Sequence, residues 1–354
     1  MPDSTPSPAG RRRRWIGGTV ALIVVLVLIV VLGIVRQNAT DAPTSTPTTA
    51  SPSMSQAPTM LAAPTAPFSR IDTASLTVPE ETRFAAGEFA VIAGATYLVT
   101  FALDTEKPEG SDGYAMYLGV TFSCAPQGDD GGASVGGTQN LLTGEPTTYR
   151  NQLLLTPTAD SIVSCTIKAS APYDDVASAG TSFEMTGQWK ADRVDGLGFS
   201  AAADERLPMT IPSGDGQVAF AKTLPVEDLT HERLRVLTSL HVTACTVVNG
   251  SSEVGRTWCT EDALDEAGST VSSEIRVEVL GANGTVCEVV GAETAPEEHV
   301  DLYRHHQLLF QETSVQVPAA PCGQSVRVTV SVQNSGPAPL VVHQNNSSLV
   351  VVGE

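Results

Sequence analysis

The sequence predicts an all-β ectodomain of two tandem, disulfide-bonded β-sandwich modules. These stand behind a single N-terminal transmembrane helix and a disordered Pro/Ser/Thr-rich stalk. Three observations carry that expectation. One apolar run without charge lies near the start of the 354 residues. Beyond it, short β-branched runs alternate with Gly, Asp, Asn and Pro. All six Cys follow the apolar run, as disulfides in an oxidising exterior would.

Residues 1–14 read as a cytoplasmic basic tail, with Arg11, Arg12, Arg13 and Arg14 in sequence. Residues 1–36 hold five Arg against Asp3, a net +4, while the remaining chain holds 15 basic and 38 acidic side chains, a net −23. Such a charge split suggests a membrane between the two parts. Residues 15–35, from Trp15 to Val35, contain no charged side chain. As a helix they would be roughly 31 Å long, matching a hydrocarbon core of about 30 Å. Trp15 sits where an amphipathic ring suits the headgroup layer. The arginines precede the helix, so the positive-inside bias places the N-terminus in the cytoplasm. The expected protein is therefore a single-pass type II signal anchor of the cell membrane. Its C-terminal domains are extracytoplasmic, and the lipid bilayer is its partner through residues 15–35. A cleaved signal peptide would have a shorter apolar region ending in a small-x-small site; here Arg36-Gln37-Asn38 follows.

Residues 36–69 read as the linker. Pro43, Pro47, Pro52, Pro58, Pro64 and Pro67 recur through a Ser/Thr/Ala-rich segment. They disfavour helix and ladder and favour polyproline II. At about 3.1 Å per residue such a spacer reaches roughly 90 Å.

Residues 70–212 and 213–354 read as the first and second β-sandwich modules. Strand signals include Thr96–Leu103, Tyr114–Cys124, Ser161–Ala169, Leu234–Val248 and Ser325–Val332. In the last, Val326, Val328, Val330 and Val332 share one face. Asn283-Gly284 marks a hairpin, and Asn345-Asn346 a weaker one. The modules resemble each other internally. Tyr149-Arg150-Asn151-Gln152-Leu153-Leu154-Leu155 resembles Tyr303-Arg304-His305-His306-Gln307-Leu308-Leu309, and each motif has a Cys before it and another after it. The stretch from residue 84 also aligns loosely with that from 218. This repeat selects the pairs Cys124–Cys165 and Cys287–Cys322, leaving Cys245–Cys259 as an extra pair in the second module. The Trp expected between the Cys of an immunoglobulin domain is missing from both pairs.

Catalytic signatures are weak. Gly132-Ala133-Ser134-Val135-Gly136 fits G-x-S-x-G, but that elbow needs a strand before it and a helix after it, and the segment reads as a Gly-rich loop. His231-Glu232 opens like a zincin motif, yet Arg235 stands where the second His belongs. Metal candidates are the loop carboxylates Asp129, Asp130, Asp174 and Asp175, which suit calcium, together with His299 and His305. If His305 and His306 lie on a strand, their rings face opposite sides and only one of them joins a site easily. Trp189 and Trp258 are candidate sugar platforms, although Trp258 adjoins Cys259 and is placed to pack on a disulfide. No cofactor is implied.

The acid excess argues against nucleic acid. The expected function is a membrane-anchored, surface-exposed binding or scaffolding protein of the cell envelope, bacterial by its composition. It would act on an envelope or extracellular protein or glycan and would not be an enzyme. The alternatives are an exported envelope hydrolase and a calcium-dependent adhesion or glycan-binding module.

Overall fold

The computed structural model describes residues 66–107, 115–127, 132–171, 180–194, 198–201, 206–226, 233–247, 257–260, 264–318 and 321–354. The expected tail, membrane helix and nearly all of the linker lie outside these residues. Among the described residues no helix is long and apolar enough to cross a membrane.

Among the described residues the first module has eight strands. They are β1 (Phe68–Thr77), β2 (Glu81–Val91), β3 (Thr96–Glu106), β4 (Ala115–Pro126), β5 (Ala133–Leu142), β6 (Pro146–Leu155), β7 (Ser161–Ser170) and β8 (Ser182–Val194). They form two antiparallel sheets ordered β1-β8-β3-β6 and β2-β7-β4-β5. The second module contains β9 (Gly198–Ala201), β10 (Met209–Ile211), β11 (Gly216–Pro225), β12 (Arg233–Ala244), β13 (Ser269–Leu280) and β14 (Val286–Thr294). It continues with β15 (Glu298–Val300), β16 (Gln307–Gln316), β17 (Ser325–Asn334), β18 (Leu340–Val342) and β19 (Ser348–Gly353). One sheet runs β10-β18-β12-β19-β9, with β16 on the other side of β12; the second runs β11-β17-β13-β14, with β15 on β13.

The pairings repeat. β10, β11, β12, β13, β14, β16, β17 and the β18–β19 run stand where β1 to β8 stand in the first module. This interleaved order of eight strands in two sheets is a jelly roll. β9 and β10 precede residue 213, where the sequence divides the modules, yet they pair with β19 and β18.

Alternation builds each core. On β17, Val326, Val328, Val330 and Val332 are fully buried, while Arg327, Thr329 and Ser331 are half-buried on the other face. Asn283-Gly284 does turn β13 into β14, with Gly284 at a φ of 77° and its N–H donating to the Gly281 carbonyl. Asn345-Asn346 does not make a hairpin. β18 and β19 do not pair with each other; both lie along the same side of β12, opposite Val242–Ala244 and Leu234–Ser239 respectively. Residues 343–347 bulge out between them, with Asn346 at a φ of 70°. Asn tolerates that left-handed conformation better than a branched side chain.

Three disulfides join Cys124 to Cys165, Cys245 to Cys259 and Cys287 to Cys322, the pairs that the sequence repeat selects. Their settings differ. Cys124 and Cys165 face each other on neighbouring strands β4 and β7 within the core, whereas Cys287 on β14 reaches the turn before β17. The Tyr-Arg motifs differ too. Tyr149 is buried inside β6, but Tyr303 precedes β16 and is 40% exposed. The motif marks equivalent strands and not equivalent positions.

The two modules are not separate beads. Leu98 on β3, Leu154 on β6 and Val194 on β8 pack against Leu237 on β12, Phe310 on β16, and Val350 and Val352 on β19. The outer face of one sheet of each module is thus buried against the other. Leu308 of β16 reaches further and packs into the core of the first module. Consequently β12 is buried continuously from Val236 to Ala244. Its even positions, such as Val236, Leu240 and Val242, face the core of their own module, while Leu237 faces the junction.

Candidate functional site

The polar half of this junction concentrates chemistry. Gln152 of β6 is fully buried. Its amide donates to Ser348 Oγ at 3.0 Å and accepts from Ser239 Oγ at 3.1 Å, which ties β6 to β19 and β12. Beside it, four of the six histidines gather. His241 comes from the junction face of β12, His343 from the 343–347 bulge, and His305 with His306 from the turn before β16.

The backbone explains the gathering. The His343 N–H donates to the His241 carbonyl at 2.9 Å. The bulge deprives the His241 N–H of a ladder carbonyl, and Ser347 Oγ takes its place at 3.0 Å while donating to the His343 carbonyl. The rings then stack, with His241 and His343 centroids 4.7 Å apart and His241 and His306 5.2 Å apart. His305 meets His306 edge-on at 4.7 Å. His241 Nε2 and His306 Nδ1 share one proton across 3.1 Å, and His343 Nε2 bonds Thr243 Oγ1 at 2.9 Å. His306 also crosses the junction. Its ring lies edge-on to Tyr117 of β4 at 5.1 Å, and its main chain exchanges hydrogen bonds with Asn140 of β5. Among the described residues, His305 Nδ1 is buried without a hydrogen-bond partner, while the His241 ring has the Asn345 backbone beside it.

This environment disfavours the charged imidazole. Burial pulls His305 and His343 down to about 4 and His306 to about 3, with neighbouring imidazoles adding to the effect at His305 and His306. His241 lies well below its ordinary value, through burial first and then His343 and His306, against a smaller opposing contribution from the Asn345 backbone. All four rings are therefore neutral at neutral pH.

The sequence-derived candidates distribute differently. His305 and His306 are not on a strand, so both rings join one cluster, contrary to the strand argument. His299 is apart from it and pairs at 3.5 Å with Asp301. Asp129, Asp130, Asp174, Asp175 and the His231-Glu232 pair lie outside the described residues. Among the described residues, no three His, Cys, Asp or Glu side chains are placed to hold a metal ion. Ser134 lies in β5 and not in a loop, and its hydroxyl donates to the Phe122 carbonyl across the strand pair; the elbow has neither its turn nor its helix. Trp189 is no platform. It is buried in the first core against Phe68, Phe89 and Phe122. Trp258 packs with the Cys245–Cys259 disulfide.

Sequence reasoning passed over His241 and His343, which stand about a hundred residues apart. The available signal was one ring amid the β-branched run of β12.

Among the described residues, the outward sheets carry ion pairs and no second histidine cluster. On β13 and β17, Glu278 accepts from Arg276 at 2.8 Å and from Arg327 at 2.6 Å. Burial would raise this carboxyl, but the two guanidinium hydrogen bonds outweigh it and hold it below the usual range. A groove of about 540 Å³ over β11, β13 and β17 is lined by Gln217, Ser272, Ser331 and Gln333, with Glu274 its one carboxylate.

No protein-family model and no curated protein matches the chain. Among solved structures it is similar to the infectious bursal disease virus Gt strain, at 11% identity over 81% of this chain and 72% of that one, with a TM-score of 0.31. The Gx strain gives 12%, 82%, 74% and 0.29. The tandem CBM22-1–CBM22-2 domain of Paenibacillus barcinonensis Xyn10C gives 10%, 81%, 91% and 0.24. Likeness at this level carries no argument about function.

Proposed function

We propose that this protein is a membrane-anchored, surface-exposed binding or scaffolding component of the cell envelope. Trp15–Val35 anchors it, the Pro-rich linker holds it off the bilayer, and the joined jelly rolls present their outward sheets to an envelope or extracellular protein or glycan. One observation supports this most. Four described histidines are packed inside the module junction, while the outward groove over β11, β13 and β17 gathers amides and hydroxyls around a single carboxylate. A hydrolytic site needs catalytic groups meeting in an open cleft.

The test is crosslinking on intact cells with the full chain as bait, alongside protease shaving. Recovery of one surface protein or glycan, lost after shaving, supports the reading. An ectodomain released into the medium, or turnover of envelope polymer by the purified chain, overturns it.

A further inference from the structure

We propose that the four-histidine cluster is an acid-operated latch between the two jelly rolls. On acidification the imidazoles charge, the polar half of the junction opens, and the modules part while each keeps its own core. This inference concerns the geometry of the ectodomain and stands whether or not its partner is a protein or a glycan.

The placement of the rings is the first ground. His306 makes its ring and main-chain contacts with Tyr117 and Asn140 of the first module, while its Nδ1 bonds His241 of the second. A change of charge on this pair therefore acts on the contact between modules. The second ground is the hydrogen bond itself. One imidazole must donate and the other accept, so the pair keeps its bond with two or three ring protons and cannot keep it with four. When both rings are fully protonated, the bond is lost and two like charges face each other at contact distance.

The third ground is what surrounds the rings. His343 and His305 face them from the second module's bulge and turn. Tyr117 faces them from β4, Asn140 from β5, and Ser347 from the chain entering β19. Apart from the imidazoles, that set offers one phenol and neutral polar groups. The charges that act on these rings are one another. The nearby ion pair of Arg304 with Glu145 spans the same junction but satisfies itself. Among the described residues no carboxylate is thus placed to receive a proton's charge, so protonation costs more free energy in the closed junction than in the open one. Protons bind the open form more tightly, and falling pH favours opening.

The fourth ground is that opening does not demand unfolding. The modules have separate cores, in which Leu308 is the main intruder from the second into the first. Every disulfide stays within one module.

The test uses the full chain with donor and acceptor dyes on unnatural amino acids at positions 88 and 288, both exposed on outward sheets. Energy transfer should fall reversibly between pH 7.5 and pH 4.5 while the far-ultraviolet β signal persists. The double variant His241→Gln, His306→Gln should lose most of that fall, and His299→Gln should leave it unchanged. Constant transfer across the range overturns the latch, as does an equal fall in the double variant or a fall that accompanies loss of the β signal. Should the double variant not fold, ring titration by NMR in the unaltered chain decides. Four of the six rings must titrate together, at the midpoint of the fall and below the ordinary value. Independent titration near 6.5 overturns the proposal.

Discussion

Gln152 illustrates how single side chains hold the junction. Both ends of its amide are used, on hydroxyls from two strands of the other module. Gln152→Ala would leave those hydroxyls buried and without this partner, and should lower stability by about 2 kcal/mol in chemical denaturation at pH 7.5. Gly87 sits at a β-bulge in β2, where the register shifts against β7. A Cβ there would run into the Trp189 indole. Gly87→Ala should therefore cost about 1–3 kcal/mol through overpacking and change the near-ultraviolet signal of the tryptophan. At this scale the sequence is a poor guide. Trp189, read alone, offers a flat ring for a sugar; in the fold it is the centre of an aromatic cluster, because β8 presents it inward beside Phe89 and Phe122.

At the scale of elements, the 343–347 bulge matters most. It interrupts the pairing of β18 and β19 with β12 and swings His343 over His241. Asn346 permits the reversal of the chain. Asn346→Gly should be nearly neutral, while Asn346→Val should cost about 1–2 kcal/mol and shift the His343 ring signal in NMR. The dipeptide Asn345-Asn346 shows why this was half legible. It announces a left-handed turn, but whether the flanking strands pair with each other or with a third strand is fixed by their partners in space. Strand positions themselves were readable from alternation, as on β17, where four successive inward positions are Val. The cross-strand Cys124–Cys165 bridge closes a loop with a sequence separation of 41. Replacing both Cys by Ala should lower stability by about 4 kcal/mol, seen as a lower denaturation midpoint.

For the whole molecule, pH dependence separates the junction from the surface. The cluster histidines have lowered values in the folded chain, so the unfolded chain binds more protons as pH falls below 6.5. Stability is full above that pH and should decline at about 1.4 kcal/mol per pH unit for each such histidine toward pH 4. Glu278 acts later. Its lowered carboxyl contributes stability above 4.5 that is lost only below it. A melting profile that falls from pH 6.5 in the unaltered chain, and falls less steeply between 6.5 and 4.5 in His241→Gln, His306→Gln, where His305 and His343 remain, would assign that limb to the junction.

The sequence by itself determined the β texture, the disulfide pairs and the recurrence of one strand plan, because side-chain alternation and cysteine spacing are local properties of the chain. It also drew the charge division that predicts an anchor. Only the tertiary structure decided that the second face of β12 is buried. Arg235, Leu237, Ser239, His241 and Thr243 alternate as a solvent face would, mixing polar and apolar side chains. They are read as outward until a second module covers most of them. The histidine cluster follows from that burial and from a bulge about a hundred residues away. Its rings become neighbours through pairing, and no spacing along the chain records which surfaces two folded modules turn toward each other.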